Sequence, residues 1–269
     1  MNFSEEQIQR YSRNIILSQV GVEGQEKLLN SKVLIIGAGG LGAPVAMYLA
    51  AAGVGTIGLV DGDVIDLSNL QRQVIHQTED VGKTKVQSGK ETINKINPDV
   101  KVITYNTIVA SENIMEIIKD QDYDFIVDGT DNFPTKFLIN DACVLAKKPL
   151  STAGIIQFEG QLTTYIPDND TPCFRCIFQS PPPNGSIPTC CEAGVIGAMA
   201  GVIGNLQALE VLKYLLGIKE NLAGYLLTFD AITMEFRKIQ IRKNPKCGVC
   251  GEDPIIKTLV DYERTSCSL

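Results

Sequence analysis

The chain has 269 residues, 44% of them apolar, with a formal charge of −7 and a sequence pI near 4.9. That length and apolar content support a packed core and exclude global disorder. The acidic balance argues against a general binder of nucleic acid or of an anionic membrane surface, so any anionic ligand must be met by locally placed Lys and Arg.

The opening stretch "MNFSEEQIQRYSRNIIL" places acids ahead of any apolar run and has no small-residue cleavage site. It predicts no secretory signal, a cytoplasmic location, and a first helix capped by Ser4. A strand at Lys32 to Ile36, the glycine turn "GAGGLGAP" (37–44), a helix of small residues to about Gly53 and the strand "TIGLVD" make a βαβ opening. Further strands are expected in "VKVITY" from Val100, "YDFIVDG" from Tyr123 and "KPLSTAG" from Lys148. Helical patterns at Lys83 to Ile96, Ser111 to Lys119 and Thr135 to Ala146 separate them, which predicts an α/β fold with a Rossmann-like, doubly wound, mostly parallel sheet.

After about Gly154 the rhythm changes. "EGQLTTYIP" alternates like an antiparallel strand, and the Pro- and Cys-rich loop "DNDTPCFRCIFQSPPPNGSIPTCC" is too long to be idle. The apolar stretch "GVIGAMAGVIGNLQALEVLKYLLG" predicts a helix, followed by "YLLTFD" and "EFRKIQIRK" as a closing hairpin before "CGVC". Its uncharged run, Ala193 to Leu209, is 17 residues long and contains Asn205 and Gln207, so it reads as a buried core helix and not as a membrane span.

Gly37, Gly39 and Gly42 fit G-x-G-x-x-G between a strand and a helix, where backbone N–H groups can cradle phosphate; Gly40 lies within the same turn. Asp61, 19 residues beyond Gly42, ends the second strand, where a carboxylate can accept from ribose hydroxyls. The turn alone leaves an NAD-dependent oxidoreductase open. The next segment, "DGDVIDLSNLQRQ", carries Asp61, Asp63, Asp66, Asn69, Arg72 and Gln73, a polar and basic run that suits a triphosphate better than a dinucleotide. Arg72 and Lys85 are placed to neutralise phosphates, and Asp128 and Asp131 in "VDGTDN" supply hard oxygen ligands suited to magnesium.

The chain has eight cysteines and one histidine. Cys173 with Cys176 and Cys247 with Cys250 form two C-x-x-C pairs, the pattern of a four-thiolate zinc site assembled by folding, with a redox role for either pair as the alternative. Cys190 and Cys191 end the long loop just before the apolar helix, whose dipole would favour thiolate. Cys143 reads as a small core filler, Cys267 as an incidental residue of the tail, and His76 as a structural or solvated loop residue.

The motifs "RYSRNIIL", "GAGGLG", "DGDVIDLSNLQRQ", "VGKTKV", "DGTDN", "EGQ", "PCFRC" and "CEAGV" together are similar to the ThiF/MoeB/HesA family, relatives of ubiquitin-activating enzymes, from about residue 5 to 252. The resemblance implies ATP-dependent adenylation of the C-terminal Gly-Gly carboxylate of a ubiquitin-like sulfur carrier such as ThiS or MoaD, with release of pyrophosphate. The cofactors are then ATP, magnesium and zinc, with a sulfur donor such as a cysteine desulfurase as a further partner. It places Gly39 and Gly42 beneath the phosphates, Asp61 on ribose, Asn69, Arg72 and Lys85 along the triphosphate, and magnesium on Asp131. Arg13 matches an arginine that reaches into the partner subunit's nucleotide site, which implies a homodimer.

The same resemblance makes Cys173, Cys176, Cys247 and Cys250 a structural zinc site and gives Cys190 the position of a family cysteine that could take part in sulfur transfer. Relatives often carry Arg where this chain has Lys136, and Lys cannot offer the same bidentate fork. One domain is expected over 1–269, with a helical arm (1–30), a nucleotide-binding part (31–154) and a part for the carrier, crossover loop and zinc (155–269). Thiamin, molybdopterin and other sulfur routes are equally compatible. A tRNA-base dehydratase of the same superfamily is the alternative, against which the acidic charge counts.

Overall fold

The computed structural model describes residues 3–167, 170–183, 186 and 190–263, the side chains of 190 and 191 excepted. Helix α1 (Glu5–Ile15) starts where Ser4 accepts the Gln7 N–H and the Gln7 side chain accepts the Ser4 N–H, a reciprocal capping box. A second arm helix, α2 (Gly21–Asn30), follows it. Then β1 (Lys32–Ile36), α3 (Gly42–Ala52), β2 (Thr56–Val60), α4 (Lys85–Ile96) and β3 (Lys101–Tyr105) alternate as the periodicity predicts. The same holds for α5 (Ile114–Asp120), β4 (Phe125–Asp128), α6 (Phe133–Ala146) and β5 (Leu150–Ile156). Beyond them come β6 (Glu159–Tyr165), the short helices α7 (Phe174–Ile177) and α8 (Cys190–Ala193), the long α9 (Gly197–Leu216), and the hairpin β7 (Tyr225–Asp230) with β8 (Glu235–Gln240).

Among the described residues the strands form one sheet in the order β3-β2-β1-β4-β5-β6-β7-β8. Strands β1 to β5 pair in parallel and β6 to β8 continue antiparallel. Successive strand side chains point to opposite faces, so the five residues of β1, KVLII, feed two cores at once. Val33 and Ile35 pack with Leu49 of α3, Ile93 of α4 and Val211 of α9; Leu34 and Ile36 pack with Ile118 of α5 and Ile139 of α6. Each such buried aliphatic side chain contributes about 1.5–3 kcal/mol by leaving water. Coverage on both faces is why these strands read as unbroken apolar runs, whereas β6 alternates: Leu162 meets Met199 and Ile203 of α9, and its neighbours Gln161 and Thr163 face the other way.

Parallel pairing aligns the carboxyl ends of the central strands. Ile36 is level with Val60 on one side and with Asp128 on the other, so Gly37, Asp61 and Gly129 leave the sheet in one row. The chain can turn there only because of its glycines. Gly37 sits at φ +95°, and a Cβ on Gly42 would lie 1.8 Å from the Gly37 carbonyl oxygen. Gly42→Ala is therefore expected to cost at least about 2 kcal/mol of unfolding free energy, since a backbone atom cannot move aside as a flexible side chain would. Urea denaturation checks this.

Candidate functional site

The row of strand ends opens into a cavity of about 980 Å³ at the point where the strand order reverses between β1 and β4. Open α/β sheets bind ligands at such a switch point. Gly37, Gly39 and Gly40 form part of its wall at the start of α3, while Gly42 lies behind them, against the Gly37 carbonyl. Asp61 holds the turn from the next strand: its Oδ2 accepts the Ala38 N–H and its Oδ1 the Asp63 N–H, both at 2.9 Å. Burial pushes the Asp61 carboxyl above the usual aspartate range, opposed by the Lys85 charge. Lys85, the first residue of α4, is buried and places Nζ 2.7 Å from Asp63 Oδ2 and 3.9 Å from Asp61 Oδ1.

Between β2 and α4, Asp66 caps a single 3₁₀ turn and Asn69 returns the favour, accepting the Asp66 N–H. Asn69 does not itself line the cavity; its carbonyl accepts the N–H groups of Arg72 and Gln73 and so presents both of those residues to it. Arg72 donates through Nη1 to the Ser68 carbonyl at 3.1 Å, which draws its guanidinium back along its own turn. Gln73 is buried beside Gly39 and lines the cavity, and its Oε1, itself shut off from solvent, has no hydrogen-bond partner among the described residues. Such a group costs free energy until a donor reaches it.

On the far side, the acids at the end of β4 divide. Asp128 is fully buried and spent within the protein: Oδ1 accepts the Thr130 N–H and hydroxyl, and Oδ2 accepts Lys136 Nζ at 3.0 Å. It does not line the cavity, which corrects the expectation that it offers oxygen to a metal there. Asp131 is exposed on the cavity wall, and among the described residues no Lys or Arg pairs with it. Lys136 lines the same wall from α6 and also donates to the Ala153 carbonyl at 2.5 Å. As a point charge it needs no bidentate partner, so two separate acceptors hold it. Farther along, Thr152, Gln161, Thr163 and Thr228 extend the cavity as a polar trough across β5, β6 and β7, a face that the alternation of "EGQLTTY" marks in the sequence.

The two C-x-x-C pairs, far apart in the chain, meet outside this cavity. Cys173 and Cys247 place their sulfurs 3.7 Å apart, Cys176 and Cys250 3.5 Å apart, and all four lie within 4.8 Å of one another. A tetrahedral metal with metal–sulfur bonds of about 2.3 Å requires sulfur–sulfur edges of about 3.8 Å, so the donor set fits a closed four-thiolate metal site. Between the ligands, Arg175 makes two 2.7 Å hydrogen bonds to Asp141 and one of 2.6 Å to the Tyr262 hydroxyl, and Asn140 accepts the Phe174 N–H. The ligand loop is thereby clamped to α6, the helix whose first turn carries Lys136.

Cys143 is fully buried, and burial pushes its thiol well above the ordinary range, which leaves it an unreactive core residue. The side chains of Cys190 and Cys191, and all of Cys267, lie outside the described residues. Cys190 begins α8, while α9 starts only at Gly197, so the long helix does not begin directly after the cysteine pair as expected. Arg13 is exposed on α1 and does not line the cavity. His76 is buried rather than solvated and bonds to the glycine turn itself, a role for which its loop position carries no signal. Among the described residues no helix is long and apolar enough to cross a membrane.

Comparison with known proteins meets this geometry from another direction. Residues 11–249 match the model of the ThiF family. The chain is 48% identical over 267 residues to a sulfur carrier protein adenylyltransferase of Thermus thermophilus, covering 98% of each chain. It is 50% identical over 258 residues to adenylyltransferase and sulfurtransferase MOCS3 of Dictyostelium discoideum, covering 95% of this chain and 60% of that one. Among solved structures, E. coli MccB with ATP superposes with a TM-score of 0.75 at 28% identity, over 90% of this chain and 73% of that one.

The four-thiolate site predicts about one tightly held metal ion per chain in protein purified without chelator. Cys173→Ser, or metal removal by a strong chelator, is expected to lower Tm by several degrees, because metal binding to the folded chain is folding free energy. Elemental analysis and thermal unfolding check both.

Proposed function

The chain belongs to the ThiF family, and on that premise we propose that it adenylates the C-terminal Gly-Gly carboxylate of a ubiquitin-like sulfur-carrier protein, consuming ATP and releasing pyrophosphate. One observation carries the reading: the strand register brings the glycine turn, Asp61 and the Gly129–Asp131 loop to a single row, with Arg72 and Lys85 on the same cavity. The solved relative with ATP supports the choice of nucleotide.

The reaction needs no nucleophilic side chain. A terminal carboxylate with an ordinary pKa of about 3.3–3.7 is already ionised, so its oxygen attacks the α-phosphorus in line as the bond to pyrophosphate breaks. The protein's contribution is orientation and charge. Asp61 bonds the ribose hydroxyls with the lone pairs its two backbone contacts leave over. The turn's N–H groups and the start of α3 face the phosphates. Lys85, aimed by Asp63, and Arg72, tethered to Ser68, carry the positive charge that an otherwise acidic chain must concentrate here. Asp131 would hold magnesium, which supplies further neutralisation of phosphate oxygens when bound.

The trough over β5 to β7 receives the carrier's extended tail, its threonine and glutamine side chains matching a glycine-rich backbone that offers only peptide groups. The four-cysteine site holds zinc, in a structural role remote from the reacting atoms. Arg13, exposed on the arm, acts across a homodimer in the partner subunit's site. Cys190 takes the later sulfur-transfer step. Thiamin and molybdopterin routes are served by the same chemistry, and the carrier decides between them.

Pyrophosphate exchange with a panel of carriers ending in Gly-Gly tests reaction and partner together. At least one carrier is expected to support exchange, and Asp131→Ala to reduce it about 100-fold, equivalent to about 2.7 kcal/mol, at unchanged Tm. No exchange with any carrier, or wild-type exchange in Asp131→Ala, counts against the assignment. Mixing Arg13→Ala with Arg72→Ala chains is expected to restore about a quarter of wild-type activity, since random pairing makes half the dimers mixed and each mixed dimer holds one intact site. Activity that stays nil while subunits exchange excludes the shared site.

A further inference from the structure

His76 lies behind the glycine turn, outside the cavity, buried to 6% exposure. Its Nε2 is 3.2 Å from the Ala38 carbonyl oxygen, and its Nδ1 is 2.9 Å from Ser88 Oγ, which stands 2.8 Å from Asp80 Oδ2. Asp80 is anchored in turn by Lys83 at 2.7 Å, which holds its carboxyl down at about 2. We propose that His76 is a positioning residue for the nucleotide's phosphates, acting through the Ala38–Gly39 peptide. The inference rests on the ATP reading above and assigns one of that site's determinants to a residue that never touches the ligand.

A carbonyl oxygen only accepts, so the 3.2 Å contact exists only if Nε2 carries the proton. Ser88 has one proton for two neighbours. In the charged ring, Nδ1 donates to Ser88 and Ser88 to Asp80, so every contact is satisfied; in the neutral ring with the proton on Nε2, the Ser88 hydroxyl turns to Nδ1 and gives up its bond to Asp80. Both states keep Nε2–H, so the contact to Ala38 is indifferent to ring charge. Burial, with Lys85 nearby, pushes His76 below the ordinary histidine range, and Asp80 opposes the shift. The one state that breaks the contact is the neutral ring with its proton on Nδ1.

The consequence for the ligand follows from peptide geometry. The Ala38–Gly39 peptide is trans, so its N–H points opposite to its C=O. The Ala38 oxygen is tied back to His76, and the Ala38 N–H, part of the preceding peptide, is tied to Asp61; turning the Ala38–Gly39 plane breaks the His76 bond, and in the observed plane the Gly39 N–H is directed away from His76. Gly39 lies on the cavity wall, and among the described residues its N–H has no partner. An anchored donor of this kind binds an anion without first losing its own conformational freedom.

Calorimetric titration of the full chain with ATP and magnesium, and separately with adenosine, tests the proposal. His76→Phe keeps the ring volume and removes the donor. It is expected to weaken ATP about tenfold and leave adenosine unchanged. His76→Gln, whose amide nitrogen can take the Nε2 position, is expected to bind ATP within about threefold of wild type. A folded His76→Phe chain that binds ATP as tightly as wild type, or loses ATP and adenosine by the same factor, overturns the proposal, as does a His76→Gln chain no better than His76→Phe. Wild-type protein that binds no ATP would overturn the adenylation reading as well.

Should His76→Phe not fold, the wild type still decides. His76 is the chain's one histidine, so its ring nitrogens are identified in an ¹⁵N correlation spectrum without assignment. A proton on Nε2 from pH 6 to 8 is expected; a neutral ring protonated on Nδ1 overturns the proposal.

Discussion

Everything at this site hangs on the contact of one backbone with another. The Gly37 carbonyl, Gly42 and Gly129 meet so closely that no Cβ fits between them, which draws the end of β1, the first turn of α3 and the end of β4 into one knot. Apolar burial on both faces of the sheet supplies the free energy that holds the strands in register, and register converts that non-directional force into a defined row of residues. With the row set, short hydrogen bonds from Asp61 and Thr130 finish the local geometry.

The electrostatics follow the same economy. The lysines on the cavity wall are already paired, Lys85 with Asp63 on the same wall and Lys136 with Asp128 behind it, so the protein carries buried positive charge without stranding it. Removing a single member of such a pair is costly because the remaining charge stays desolvated. Asp128 is therefore part of the frame, whereas Asp131, three residues on, is exposed on the cavity wall.

The cysteine cluster extends the frame outward. Its ligands come from two ends of the second half of the chain, and Arg175, placed between two of them, spans from Asp141 on α6 to Tyr262 near the end of the described chain, with its guanidinium 4.7 Å over the Phe137 ring. Metal binding there is a packing event that fixes α6, whose Asn132 cap adjoins Asp131.

Local pattern was enough for the elements and for the chemistry of the motifs. Apolar runs, caps and the glycine spacing place the central strands and helices, because hydrophobic periodicity and turn sterics act over a few residues. The C-x-x-C spacing likewise identifies a ligand set, since thiolate chemistry does not depend on what lies between the pairs. Tertiary structure alone decided which of the candidate residues share a wall. Asp128 and Asp131 read alike in sequence, yet only a fold that buries Lys136 beside one of them separates their roles. Asn69 reads as a residue of the phosphate site, and its side chain accepts the Asp66 N–H away from the cavity wall; His76 reads as a loop residue and stands buried behind the glycine turn, bonded to a carbonyl 38 residues away. Those distinctions rest on contacts between distant segments, and chain folding, unlike helical or strand periodicity, leaves no local trace of them.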